Sequence, residues 1–257
     1  MGAKEQEIEK IQRIAVRVVA TNPAGHNLLL IGGFRYRLLD RSARFSKDID
    51  YHWEGSLKEK QTELLQLCRR VVVPLTRREL GYQGSAELAS GPETESPNVR
   101  VVELRFWKPR TADSQIVVPI EITRILCLDR MTVRTAEGTV YPTPSDADLV
   151  EGKIIATLNR TFMEHRDLVD LFLYGDRLAA DSPQRLKIKL KKINVTGASL
   201  RVRLKDLEQS ADYHARAVQA VIDAQLDGVI AAQLNAAGGG QMVFGRVLRL
   251  IQSQVQP

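Results

Sequence analysis

The stretch Leu30–Asp50 reads Leu-Ile-Gly-Gly-Phe-Arg-Tyr-Arg-Leu-Leu-Asp-Arg-Ser-Ala-Arg-Phe-Ser-Lys-Asp-Ile-Asp. The apolar run over 28–31 predicts a short central strand, which a pair of glycines ends. Residues 35–42 are typical of a helix, and the alternation over 48–53 predicts a second strand. The order of elements is therefore strand, glycine turn, helix and strand.

Two aspartates, Asp48 and Asp50, stand two positions apart in the second predicted strand. Side chains alternate faces along a strand, so both carboxylates point the same way while Ile49 packs inward. Two carboxylates on one face repel each other unless a cation lies between them, and Mg²⁺ prefers oxygen ligands. The pair is therefore a candidate metal site, although exposed acids on strands are common without a metal.

The glycine pair Gly32-Gly33 follows the first strand and precedes the acid pair by one short helix. Residues without a Cβ let the backbone approach a ligand closely and present N–H groups to phosphate. A tight turn without a ligand is the other interpretation. The position ahead of an acid pair favours the phosphate site.

A third acid, Glu121, lies inside the otherwise apolar segment 116–124, which is typical of a strand. An unpaired carboxylate in such a strand is costly, so Glu121 needs a cation. This cation is either a metal shared with the two aspartates or an arginine, with Arg105 and Arg124 as candidates. The sequence leaves both alternatives open.

The first part of the chain, residues 1–140, is predicted to be one α/β unit. Pro119 argues against a central position for the strand of Glu121, because proline donates no backbone hydrogen bond. The other predicted elements are a helix over 5–20, a helix from a Ser56 cap to about Val72, a polar loop over 89–98, and a strand over 99–107 that forms a hairpin with 116–124.

The second part, residues 141–257, is predicted to be a mainly helical domain. A helix begins at a Ser145 cap and runs to about residue 162, and a second follows over about 164–175. Residues 207–235 predict one long helix, and the three glycines at 238–240 separate it from a short terminal helix.

A basic segment over 185–205 lies within this second part. It carries +8 and no acid, and since the whole chain carries +6, the rest sums to −2. A basic cluster on a near-neutral body is typical of polyanion binding, and an ordinary solvated face is the alternative. The basic residues are Arg185, Lys187, Lys189, Lys191, Lys192, Arg201, Arg203 and Lys205.

Several motifs, taken together and in order, resemble one known family. They are Gly32-Gly33, Arg37, Phe45-Ser46, Asp48-Ile-Asp50, Glu151-Gly-Lys153-Ile-Ile-Ala-Thr-Leu-Asn-Arg160 and Glu164-His-Arg-Asp-Leu-Val-Asp-Leu-Phe172. This combination resembles the nucleotidyltransferase AbiEii/AbiGii/MenT toxin family of the DNA polymerase β-like superfamily. The resemblance covers about residues 25–178.

The resemblance implies an α/β (α+β) fold, with a polymerase β-like nucleotidyltransferase core on a mixed sheet and a helical C-terminal domain. It implies two Mg²⁺ ions about 3.5 to 4 Å apart, or Mn²⁺ in their place. The implied metal ligands are Asp48, Asp50 and Glu121. The implied catalytic residues are these three with Lys153 and Asp167, and the implied nucleotide-binding residues are Gly32, Gly33, Arg37, Ser46, Lys153 and Arg160.

The motif of the second part has a physical basis of its own. Lys153 and Arg160 are seven residues apart and share a face of the predicted helix, which could meet nucleotide phosphates. Asp167 and Asp170 share a face of the next helix, where either could orient Lys153. An ion-pair network that only braces the two helices is the alternative.

The resemblance further implies an enzyme that moves NMP from an NTP to a hydroxyl, as the toxin of a toxin–antitoxin or phage-defence system. The implied acceptor is a tRNA 3′ end or another RNA, with which the basic segment agrees, and the implied partner is an antitoxin protein. The alternatives are a protein or small-molecule acceptor, a non-catalytic nucleotide- or RNA-binding module, and a purely structural protein.

Composition narrows the class of protein. No apolar run reaches the roughly 18 residues of a membrane span, and no apolar region follows the charged N-terminus. We therefore expect a cytoplasmic protein without a membrane segment or signal peptide. Cys68 and Cys127 lack the spacing of a metal site and are predicted to be small core residues in a reducing compartment.

Overall fold

The computed structural model describes residues 2–89, 98–109 and 111–255. The described chain divides into two compact units. The first consists of Met1–Ile125 with Met131–Pro144, and the second consists of Leu126–Arg130 with Ser145–Pro257. The short segment 126–130 therefore packs within the second unit, although its neighbours in the chain on both sides belong to the first.

The first unit is built on a mixed sheet, which confirms the predicted fold class. Its strands span Leu29–Ile31 (β1), Ile49–His52 (β2), Gln83–Leu88 (β3), Val99–Lys108 (β4) and Thr111–Thr123 (β5). Among the described residues these five strands form one sheet in the order β1-β2-β5-β4-β3. β2 and β5 run parallel, and the other neighbouring strands are antiparallel, including the predicted hairpin of β4 and β5.

The parallel pairing of β2 with β5 sets the position of two acids. Asp50 lies opposite Glu121 in this register, and Ile49 lies opposite Ile120. Both isoleucines are fully buried. Since side chains alternate along a strand, the two acids lie together on the other face of the sheet.

Two strands occupy other positions in the sheet than the sequence predicts. The run over 28–31 predicts a central strand, but β1 is an edge strand of the described sheet. Leu30 and Ile31 are both buried, so both faces of β1 are covered, and this produces the apolar run of a central strand. Pro119 argues for a peripheral β5, but β5 is the middle strand. Its pairing with β2 begins at Ile120, so β2 requires no N–H from the proline.

The helices of the first unit cover the sheet with their apolar faces. They span Ala3–Ala20 (α1), Gly32–Leu39 (α2), Leu57–Leu67 (α3) and Val73–Leu80 (α4), with a 3₁₀ turn at Pro23–Gly25 and a π-helical turn at Cys68–Val72. Ser56 caps α3 as predicted, since its Oγ accepts the N–H of Glu59 at 3.3 Å. The predicted apolar positions of α1 are all buried, namely Ile8, Ile11, Ala15, Val18 and Val19.

Two features of the first unit escape the sequence prediction. β3 adds to the sheet beside β4, and a separate hairpin is formed by Thr132–Ala136 (β6) and Thr139–Thr143 (β7). Glu137 and Gly138 form the turn of this hairpin with φ angles of 51° and 73°. These strands are short and partly polar, so their alternation is too weak to predict them. The predicted loop over 89–98 falls mostly outside the described residues.

The two cysteines agree only partly with the prediction that both are small core residues. Cys68 is fully buried, and burial raises the pKa of its thiol to about 12. Cys127 is half-buried, and neither of these two cysteines forms a disulfide. Within the described ranges, no helix combines the length and the apolar character needed to cross a membrane.

The second unit is helical, as predicted. Its helices span Asp146–Asn159 (α5), His165–Tyr174 (α6), Ser182–Lys192 (α7), Gly197–Gln209 (α8), Ala211–Gln225 (α9), Gly228–Ala236 (α10) and Gly239–Val255 (α11), with a 3₁₀ turn at Gly175–Arg177. The single helix predicted over 207–235 is wrong, because the chain breaks at Ser210 and at Leu226, which is extended. The terminal helix α11 has 17 residues and is longer than predicted.

A buried cluster of charges joins α5, α7 and the segment 126–130. Lys189 places its Nζ 2.6 Å from Asp148 Oδ1 and 2.7 Å from Glu151 Oε2, and all three side chains are fully buried. Arg185, one helical turn earlier, contacts the same two acids at 2.8 and 2.6 Å and Asp129 at 2.8 Å. We call these five residues the ion cluster. Its contacts link α5, α7 and the segment 126–130 within the second unit.

The ion cluster changes the interpretation of the basic segment 185–205. Arg185 and Lys189 neutralise internal acids, so they do not contribute to a surface for a polyanion. Arg203 contacts Asp206 at 3.2 Å. The exposed cations of the segment are Lys187, Lys191, Lys192, Arg201 and Lys205. The prediction of polyanion binding therefore depends on these residues alone.

We predict that Lys189→Met destabilises the second unit by about 3 to 5 kcal/mol, because it leaves Asp148 and Glu151 as undercompensated buried charges. Urea unfolding followed by circular dichroism measures this change. Lys192→Met, on the same helix but exposed, is the control and should change the free energy of unfolding by no more than about 0.5 kcal/mol. Equal effects of the two substitutions would contradict the role given to the ion cluster.

Candidate active site

Three carboxylates converge where β2 and β5 lie side by side in the first unit. Asp48 directly precedes β2, Asp50 lies within it, and Glu121 is the register partner of Asp50 on β5. The ligand oxygens of the three side chains lie within 4.8 Å of one another. Asp48 is buried and the other two are half-buried, so the cluster is partly open to solvent. The structure thus brings together the three acids that the sequence predicts as metal ligands, and we call them the acid cluster.

Buried hydrogen bonds hold Asp48 in place. Ser46 donates from Oγ to Asp48 Oδ1 at 2.6 Å. Gln12 on α1 donates from Nε2 to the carbonyl oxygens of Ser46 at 3.0 Å and of Asp48 at 3.2 Å. Ser46, which the sequence predicts as a nucleotide contact, therefore positions a carboxylate, and its contact with nucleotide stays a prediction. Sequence reasoning missed Gln12, because nothing in the pattern of α1 separates it from other polar residues.

The two glycines begin α2 directly against the acid cluster. Gly32 has a φ of +74°, and a Cβ there would lie 1.8 Å from Asp50 Oδ2. A Cβ at Gly33 would lie 2.2 Å from Arg44 Nη2 and 2.7 Å from Ser46 Oγ. Both positions therefore require glycine so that the helix can pack on the acid strand. Their predicted contact with nucleotide phosphate stays a prediction.

The arginines near these elements have internal partners. Arg37, a predicted nucleotide contact, places its Nε 3.0 Å from Glu9 Oε2 and donates from Nη1 to the Ser42 carbonyl at 2.6 Å. These contacts brace α2 against α1. Arg44 is buried and donates to the Phe45 carbonyl at 3.1 Å. The role of Arg37 toward a nucleotide stays a prediction.

The two arginines considered as partners of Glu121 lie elsewhere. Arg105 forms an ion pair with Glu103. Arg124 donates to the carbonyl oxygen of Gly55 at 2.8 Å. Each of these two arginines thus has another partner, and the alternatives of a metal or an arginine for Glu121 stay open.

In the second unit, Lys153 on α5 lies between two acids of α6. Its Nζ is 2.7 Å from Asp167 Oδ1 and 2.7 Å from Asp170 Oδ2, and Arg160 contacts the other oxygen of Asp167 at 3.0 Å. α5 ends at Asn159, and Arg160 is extended. The prediction that Lys153 and Arg160 share a helix face is therefore wrong. They meet because both reach Asp167. The contacts are those of a network that braces α5 and α6, and the catalytic roles of Lys153 and Asp167 stay predictions.

Comparison with known families identifies the chain. Residues 13–233 match the family described as nucleotidyl transferase AbiEii toxin, type IV TA system. The chain belongs to this family. The match spans the glycine pair, the acid cluster and the Lys153 network, and it makes the protein a nucleotidyltransferase of a toxin family. No curated protein matches the chain in sequence.

Solved structures share the fold of this AbiEii-family protein. JHP933 from Helicobacter pylori has a TM-score of 0.53 and 17% identity, with 100% of this chain and 95% of that chain covered. MenT4, a nucleotidyltransferase toxin from Mycobacterium tuberculosis, has a TM-score of 0.52 and 17% identity, with 72% of this chain and 64% of that chain covered. At this level of identity the likeness concerns the fold alone.

We predict that Gly32→Ala lowers the activity of the AbiEii-family enzyme by about 10²-fold, because the methyl group must displace the Asp50 carboxylate by more than an ångström. Pyrophosphate release from mixed NTPs in the presence of total RNA measures the activity.

Gly138→Ala is the matched control for this substitution. Gly138 has nearly the same φ, +73°, but nothing lies within 4 Å of the position that a Cβ would take there. It should cost only the backbone strain of about 1 to 2 kcal/mol and leave the activity near that of the wild type. Equal activities of the two variants would show that the approach of Gly32 to Asp50 has no role.

Proposed function

We propose that this AbiEii-family protein transfers a nucleoside monophosphate from an NTP to a hydroxyl group of RNA, with a divalent cation bound by Asp48, Asp50 and Glu121. The observation that carries this proposal is the acid cluster, with its ligand oxygens within 4.8 Å of one another. Family membership supplies the class of reaction, and the acid cluster supplies the place for it.

The donor set of the acid cluster fits a hard divalent cation. All three ligands are carboxylates, which Mg²⁺ and Mn²⁺ prefer over softer ligands. Three like charges at this separation repel one another, and a bound cation would offset that repulsion. The missing Cβ at Gly32 leaves room for the Asp50 carboxylate itself against the start of α2. When bound, such a cation would neutralise phosphate charge and lower the pKa of the attacking hydroxyl.

The residues of the first unit would act mainly by positioning. Ser46 fixes the Asp48 carboxylate, and the N–H groups at the start of α2 would face the phosphates from Gly32 and Gly33. The acceptor oxygen would attack the α-phosphorus, and the bond from this phosphorus to the bridging oxygen would break to release pyrophosphate. Glu121 would favour loss of the hydroxyl proton. Positioning and charge neutralisation contribute most of the rate in such transfers.

The charge of the second unit supports RNA as the acceptor. The exposed cations of α7 and α8 would contact phosphates of the RNA backbone, and such contacts weaken as salt rises. We propose the tRNA 3′ end as the acceptor. We also propose an antitoxin protein as the partner, and the toxin–antitoxin description of the family supports this partner. We also propose that Lys153, Asp167 and Arg160 take part in nucleotide binding, and that the protein acts in the cytoplasm.

The proposed function predicts that Asp48→Asn and Glu121→Gln each lower NMP transfer to RNA by at least about 10³-fold, because several kcal/mol of charge stabilisation would be lost. The experiment incubates the protein with Mg²⁺, each α-labelled NTP and total RNA, and counts label in RNA and in protein. Omission of Mg²⁺ should abolish labelling.

Glu54→Gln is the control variant, because this side chain lies two residues after β2 and is 86% exposed. It should label RNA as the wild type does. Undiminished labelling by Asp48→Asn would overturn the metal site. Label found in protein instead of RNA would overturn the RNA acceptor while leaving the metal site in place.

A further inference from the structure

A cavity of about 440 Å³ lies within the second unit, between α7, α8 and the end of α11. This volume falls within the range of small-molecule sites, about 300 to 1,000 Å³. Much of its wall is aliphatic, and Asn194, Thr196 and Gln254 add polar groups. The aliphatic residues are Leu186, Leu190, Val195, Leu200, Leu204 and Val255. Val195, Leu200 and Leu204 are partly exposed, and a ligand that removes them from water gains free energy.

Three cations surround the apolar walls. Lys187 and Lys191 stand one helical turn apart on α7, and Arg201 lies on α8. None of the described residues that line the cavity is acidic. Among the described residues, no carboxylate forms an ion pair with any of these three cations. The cavity therefore presents positive charge without an internal counterion.

The other cations of α7 show that this charge is not simply the property of a basic helix. Arg185 and Lys189 point to the ion cluster, where Asp148, Glu151 and Asp129 neutralise them. Lys187 and Lys191 lie on the opposite, exposed side of the same helix. One side of α7 is thus neutralised from within, and the other presents its positive charge to the cavity and to solvent.

The chemistry of the walls selects the kind of anion. Sites for nucleic-acid bases use aromatic side chains for stacking, and none of the described lining residues is aromatic. An aliphatic chain matches leucine and valine side chains, and a carboxylate matches lysine and arginine.

We propose that this cavity binds a small aliphatic carboxylate, with its chain against the leucine and valine walls and its head group at Lys187, Lys191 and Arg201. This binding site is separate from the acid cluster, and its test needs neither nucleotide nor RNA, although its three cations are among those proposed to contact RNA phosphates.

Octanoate is the probe that tests this proposal, with 1-octanol as the uncharged chain and acetate as the head group without a chain. Titration calorimetry on the full-length protein should give saturable binding of one octanoate per chain. 1-Octanol should bind more weakly, and acetate should not saturate at the same concentrations. In protein-observed NMR, methyl signals of Leu186, Leu204 and Val255 should shift with octanoate.

Variants separate the head-group contacts from the apolar contacts. Lys191→Gln and Arg201→Gln should each weaken octanoate about fivefold and leave 1-octanol unchanged, because each removes one solvent-accessible charge contact. Lys192→Gln, the exposed neighbour that does not line the cavity, is the matched control and should bind octanoate as the wild type does. Leu200→Trp should fill the cavity and abolish binding of both ligands while urea unfolding shows a folded second unit.

Three results would overturn the proposal. The first is the absence of saturable octanoate binding by the wild type. The second is equal affinity for octanoate and 1-octanol, because the cations would then have no role. The third is an effect of Lys192→Gln as large as that of Lys191→Gln, because the binding would then follow the general charge of α7 and not the cavity.

Discussion

The repulsion among three carboxylates with oxygens within 4.8 Å of one another is the constraint that the first unit has to meet. The parallel register of β2 and β5 places Asp50 beside Glu121. A buried hydrogen bond from Ser46 holds Asp48 toward them. The missing Cβ at Gly32 lets α2 begin against Asp50. Each of these features brings like charges together, and a bound divalent cation would offset the repulsion among them.

The sequence predicts the local part of this arrangement and not the long-range part. Asp48 and Asp50 share a side because a strand has a period of two, which holds for any strand. The partnership of Asp50 with Glu121 depends on a strand pairing between distant segments, so the sequence indicates only that Glu121 needs a cation. Pro119 argues against a middle position of β5 in the sequence, but the pairing of β5 with β2 begins only at the next residue.

The second unit shows why charge patterns alone cannot separate surface from core. Lys187 and Lys189 are two residues apart in one basic run, yet the first is exposed and the second is fully buried. The difference comes from Asp148 and Glu151, which lie about forty residues earlier on α5 and supply the buried counterions. The exposed cations left over are fewer than the sequence suggests, and three of them, Lys187, Lys191 and Arg201, line a largely apolar cavity. A segment that looks uniformly basic therefore divides into a buried side with internal counterions and an exposed side.

The central claim is that Asp48, Asp50 and Glu121 bind a divalent cation. Electron paramagnetic resonance of Mn²⁺ tests this directly, because bound Mn²⁺ loses the sharp signal of the free ion and no substrate or acceptor is needed. We predict saturable binding of Mn²⁺ by the wild type, reversal by excess Mg²⁺, and at least about tenfold weaker binding by Glu121→Gln, with the folded state of the variant verified by circular dichroism. Equal binding of Mn²⁺ by the wild type and Glu121→Gln would contradict the account.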